Sequence, residues 1–177
     1  MSTKSNKHSK RKTERTIKIF LVIFVICFLG WLAARGVSAI AFDLGCENHI
    51  HLAKGSADFD VAAKEIGIAT SYMEENNLTE GTVSIFFKDP RNNLSFFYNN
   101  LKEIQRQYLS FPKESTEIER NRFVERIQSS LSIVSSPRGI SIYPHNKLYF
   151  WWGTISGVGA FIFTLWLADI YEKKHPW

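Results

Sequence analysis

Two long apolar stretches constrain this chain more than anything else in it. The first, IFLVIFVICFLGWLAA, runs without a charge from Ile19 to Ala34, meets Arg35 and stays largely apolar to Phe42. The second, LYFWWGTISGVGAFIFTLWLA, is uncharged from Leu148 to Ala168. A helix of ~20 apolar residues matches the ~30 Å hydrocarbon core of a bilayer. An open strand in lipid would leave its backbone groups unpaired, so both stretches are expected to be helices. The sequence therefore predicts transmembrane helices over 19–42 and 148–168, with Arg35 snorkelling toward the far headgroups. Val37-Ser38-Ala39 resembles a signal-peptide cleavage site, and Asp43-Leu44-Gly45-Cys46 superficially resembles a lipoprotein signal. The long basic leader, the intervening Arg35, and Asp43 where an apolar residue belongs favour an uncleaved anchor.

Charge placement sets the expected topology. The chain of 177 residues has a net charge of +5, but residues 1–18 hold seven Lys/Arg against one Glu. Residues 43–147 hold twelve basic against fourteen acidic residues. The basicity is thus a property of the tail and not of a groove, which argues against nucleic acid as a partner. A basic tail beside the first span, and Lys173 and Lys174 after the second, put both termini on the cytoplasmic side. The tail, read as disordered over 1–18, is expected to meet anionic lipid headgroups. The short segment 169–177 forms the other cytoplasmic tail, and the 105 residues between the spans are extracytoplasmic. Cys27 lies within the first span and Cys46 outside it, so no disulfide framework is available.

Between the spans, helical periodicity dominates. Leu52, Phe59, Ala62, Ile66, Ala69 and Met73 are spaced seven, three, four, three and four, which predicts a helix from about 47–51 to about 75–77. Leu94, Phe97, Leu101, Ile104, Tyr108 and Phe111 form a second stripe, predicting a helix over about 91–110 with Pro90 in its first turn and Asp89 as cap. The same test decides the aromatic-rich run SIFFKDPRNNLSFFYNNLKEI over 84–104: its stripe is a core face, not a binding platform. Residues 79–89 admit a strand or a helix, and a short helix packed under Phe86 and Phe87 is expected. Ser115 or Thr116 with Glu119 opens a third helix, whose core positions are Phe123, Val124, Ile127, Leu131 and Val134. ISIYPHNK then leads back to the membrane, extended before Pro144. The fold class is all-α: two transmembrane helices flanking a three- or four-helix extracytoplasmic bundle.

Gly153 with Gly157, and Gly30 with Ala34, make small-xxx-small pairs on the two spans. Helices in lipid associate by close approach over small residues, so Gly30 is expected to face Gly157 and Ala34 to face Gly153. Homodimerisation through the same glycines is the competing use. Chemical motifs are sparse. Cys46-x-x-His49-x-His51 beside Glu47 resembles a metal cluster, but His51 lies well round the helix from Cys46 and only His145 remains as a distant ligand. Asp58, Asp60 and Glu65 read as a solvated helix side. No phosphate loop, nucleophile elbow or HExxH occurs, so no catalytic residue, cofactor or metal is assigned. Asn77-Leu78-Thr79 and Asn93-Leu94-Ser95 are glycosylation sequons, relevant only in a eukaryotic lumen.

The run YMEENNLTEGTVSIFFKDPRNNLSFFYNNLKEI, residues 72–104, resembles a segment of bacterial two-span membrane proteins with a small helical extracytoplasmic domain. The resemblance implies a bacterial inner-membrane location and carries no activity or site. The layout also resembles bacterial receptors that hold a helical bundle between two spans, but only a few residues follow the second span here, too few for a signalling domain. The expected role is non-enzymatic: an accessory, scaffolding or interaction subunit that binds a protein partner through its ectodomain and spans. A small-ligand sensor acting through a separate membrane partner is the alternative, and a membrane enzyme a weaker one. A pocket of convergent polar groups would mark the sensor, and a flat exposed apolar patch the scaffold.

Overall fold

Helix α1 runs from Thr3 to Phe42, through the first apolar stretch and the basic segment before it. The computed structural model describes residues 3–86, 89–112 and 114–174, with side chains from 12 to 173. The expectation of disorder over 1–18 is corrected from Thr3 onward. Once the apolar stretch has nucleated a helix, each added residue needs only favourable propagation, and Lys, Arg and Glu propagate well. The Glu14 carboxylate accepts from Lys18 Nζ at 3.0 Å, one turn on. The remaining helices are α2 (Asn48–Gly55), α3 (Phe59–Glu75), α4 (Leu94–Ser110), α5 (Glu117–Ile133) and α6 (Asn146–Lys174). The described chain is all-α and groups into two compact units: residues up to Gly36 with those from Lys147, and Val37–Asn146.

In the first unit α1 packs on α6, and both helices are long and apolar enough to cross a membrane. The span-packing expectation needs correction. A Cβ added to Gly30 meets the Trp152 indole at 3.7 Å, and one on Gly157 meets the Phe28 ring at 3.4 Å. Gly153 lies against Trp31, where a Cβ would come within 2.5 Å of the indole, so Trp31 takes the place expected for Ala34. The glycines serve as notches for aromatic side chains of the other helix, not as a glycine-to-glycine contact. Phe24, Phe28 and Trp31 follow one another by four and three residues, placing a row of rings on one face of α1. Trp31 Nε1–H donates to the Tyr149 carbonyl at 2.6 Å, and Trp152 Nε1–H donates to the Cys27 carbonyl at 3.1 Å. Each indole thus satisfies its single polar group on the opposite helix.

The second unit opens with the last turns of α1, a π-helical turn over Asp43–Glu47, and α2. Residues 37–42, expected at the outer end of the first span, group here, with Phe42 buried 6.2 Å from the Tyr72 ring. The buried stripe is Phe42, Cys46, Ile50 and Ala53, while Leu52 is 57 % exposed. Leu52 is therefore not a core residue. Its apparent seven-step link to Phe59 crosses a break at 56–58, where Asp58 turns extended and its Oδ1 accepts from the Asp60 and Val61 amides. One long helix from 47–51 to 75–77 is thereby replaced by α2 and α3, and Asp58 is an N-cap and not a merely solvated side chain.

Ile66 and Met73 of α3, Leu94, Phe97, Leu101, Ile104 and Tyr108 of α4, and Ile127 and Leu131 of α5 are buried together. Phe59 and Val134 pack at the margin of that core. Phe59, Tyr108, Phe111 and Phe123 form a ring cluster, with centroids 4.5 to 5.6 Å apart. The α3 stop is a Schellman-type turn: Asn77 has φ of 55° and the Leu78 amide reaches the Met73 carbonyl at 2.8 Å.

The described part of 79–89 is irregular, not helical. Thr82 bridges antiparallel to Asn93, and the Val83 amide donates to the Asn92 carbonyl; Phe87 lies outside the described residues. The pairing also delays α4. Asp89 caps only a 3₁₀ turn at Pro90–Asn92, and Asn93, held extended by the bridge, caps the helix proper. At α5 Thr116 and Glu119 form a reciprocal capping box. After it, residues 140–142 make a 3₁₀ turn where a fully extended run was expected.

Candidate functional site

The metal-like cluster is dispersed by the helix that carries it. Cys46 is completely buried in the core stripe. His49 pairs with Glu65 of α3 through Nδ1 at 2.5 Å. A carboxylate can only accept, so Nδ1 carries the proton and Nε2 is left as the ring's other hydrogen-bonding atom. His51 turns to Glu47 at 3.8 Å, and His145 is exposed. Among the described residues no group of three or more His, Cys, Asp or Glu is placed to hold a metal ion.

A groove of about 410 Å³ lies beside the His49–Glu65 pair. Its floor is the α3 face opposite the core stripe: Lys64, Gly67, Ile68, Ser71, Tyr72 and Glu75. Gly45 and His49 line one side and Gln105 of α4 another. The π turn brings Gly45 so close to Tyr72 that an added Cβ would sit 2.2 Å from the ring. A π turn admits one more residue than an α turn, and such turns recur at functional sites. Gly67 keeps the floor low, with Gln105 Nε2 3.6 Å from where its Cβ would be.

The groove's polar groups differ in how they are engaged. Glu74, its neighbour on α3, accepts from Lys102 Nζ at 2.6 Å and from the Tyr98 hydroxyl at 2.7 Å. The Lys102 hydrogen bond, then that of Tyr98, holds the Glu74 carboxyl below its ordinary pKa. Lys64, Ser71, Glu75 and Gln105 make no side-chain hydrogen bond or ion pair with other described residues. A second hollow of about 490 Å³, at Gly81, Thr82, Asp89, Asn93 and Phe96, is different. Its Asp89 and Asn93 side chains cap turns and its Thr82 hydroxyl donates to Asn92.

Of the groove-lining polar residues only His49 was singled out from the sequence as a candidate for chemistry. The available signal was Gly67, a mid-helix glycine costing roughly 1 kcal/mol against alanine without any core position to explain it. Comparison with known proteins finds no matching family model, no similar curated protein and no similar solved structure.

Proposed function

We propose that the chain is a two-span integral membrane protein, both termini cytoplasmic, whose helical ectodomain works as a non-enzymatic interaction subunit. The observation that carries the reading is the surface of α1 and α6. Their most apolar windows are only 6 % and 11 % buried, which supports lipid-facing helices over core helices of a water-soluble fold. Val25, Ile26, Leu29, Ile155, Phe161 and Leu165 all face outward. A cleaved signal would need no built partner, whereas α1 is tied to α6 by stacked rings and indole hydrogen bonds. The bacterial inner membrane is the proposed location, with the basic stretch before the first span meeting anionic headgroups. A small-ligand sensor that passes its signal to a separate membrane partner is the second reading, and the groove with its uncommitted polar groups favours it.

The test is a protease added outside intact cells that display epitopes at several positions. Epitopes within residues 50–140 are expected to be lost, while those at both termini survive. Protection of the loop together with digestion of residues 1–18 would overturn the reading.

A further inference from the structure

We infer that the groove on α3 is a docking site for an extended polypeptide segment with one acidic and one basic side chain four residues apart. This rests on the ectodomain being an interaction module. Lys64 and Glu75 lie eleven residues apart on one helix, which at 1.5 Å per residue places their backbones ~16 Å from each other. The groove therefore has a cation toward one end and a carboxylate at the other. An extended chain advances ~3.3 Å per residue, so residues i and i+4, which project on the same side, stand ~13 Å apart, and the long side chains at both ends take up the remaining ~3 Å.

Glu75 is the last residue of α3, where the helix macrodipole disfavours an added negative charge. Its neighbour Glu74 is neutralised by Lys102, while Glu75 has no cation within the described bundle. A cationic group arriving at Glu75 would relieve that unfavourable placement. Between the charged ends, Ser71 and Gln105 offer donors and acceptors to a peptide backbone, and Ile68 offers an apolar contact. A free amino acid or a zwitterionic lipid headgroup carries its opposite charges too close together to reach both ends.

The probe is the labelled heptapeptide acetyl-Gly-Asp-Ser-Ala-Ser-Lys-Gly-amide, followed by fluorescence anisotropy with the full chain in lipid nanodiscs. A control peptide of the same composition sets Asp and Lys adjacent. The spaced peptide is expected to bind more tightly than the control. Lys64→Glu and Glu75→Lys should each weaken it by about three- to fivefold, as for solvent-exposed charge pairs. Lys64→Glu should also reverse the preference toward the peptide with lysine at both charged positions. Gly67→Leu, which fills the floor from the face opposite the core, should abolish binding without lowering the melting temperature. No binding up to about 1 mM, equal binding of the control, displacement by free lysine or aspartate, or indifference to these substitutions would overturn the inference. Protease mapping is run in parallel on intact cells that produce the same chain, so loss of peptide binding with the mapped topology intact sinks only the docking site.

Discussion

Phe97, Leu101 and Asn99 sit within five residues of one another on α4, yet their surroundings could hardly differ more. Phe97 and Leu101 are buried at 3 % and 0 %, whereas Asn99 is exposed. Truncation of a buried side chain removes its transfer free energy and leaves a cavity. Phe97→Ala is therefore expected to destabilise the bundle by about 3–5 kcal/mol and Leu101→Ala by about 2–5 kcal/mol. Asn99→Ala should change stability by no more than ~0.5 kcal/mol. Denaturant melts followed by circular dichroism on the three variants check this, and equal small effects would contradict a core role for the stripe. The aromatic-rich run thus divides: Phe97 is core, while Phe86 and Phe96 lie at the surface.

At the scale of the elements, contacts between helices carry the expectations. Glu74 of α3 meets Lys102 and Tyr98 of α4. Because its carboxyl is held below the ordinary value in the folded chain, the stabilisation is present above the unfolded carboxyl pKa of about 4.3. It is lost as pH falls through the lower folded value. The contact is largely exposed, so its worth is at most about 1 kcal/mol. Melting temperatures of Glu74→Gln and the parent chain should differ at pH 7 and converge on acidification toward pH 3. A gap that widens instead would show that the pair does not stabilise the bundle. In the α1–α6 pair, Gly153→Ala must displace the Trp31 indole and with it the bond to Tyr149, whereas Gly36 has nothing within 4 Å of an added Cβ. Cysteines at Phe28 and Gly157, with Cys27 and Cys46 replaced, should be joined within one chain by a short thiol crosslinker. Gly153→Ala is expected to lower that yield and Gly36→Ala to leave it unchanged. Crosslinks formed only between chains would favour homodimerisation through these glycines.

For the molecule as a whole, the two compact units correspond to two ways of burying apolar surface. The bundle from Val37 to Asn146 hides its apolar stripes among its own helices. The α1–α6 pair hides little and leaves its aliphatic residues outward, the arrangement a hydrocarbon solvent favours. The protease experiment and the peptide assay examine these two surfaces separately.

The all-α character, the two apolar helices, the α4 stripe and the Thr116–Glu119 capping box were legible from the sequence because each is a local signal. Periodicity and capping act over one or two turns of a single segment. What local signals could not supply was register between segments. The link from Leu52 to Phe59 had the right spacing, but the Asp58 cap restarts the helix and puts Phe42, Cys46 and Ile50 where Leu52 was expected. The glycines marked close approach on α1 and α6, yet only tertiary packing decided that rings would fill those notches. The groove was hidden for the same reason. Lys64, Ser71, Glu75 and Gln105 look like ordinary solvated residues along the chain, and they become a site only when the π turn, α3 and α4 set them around one hollow.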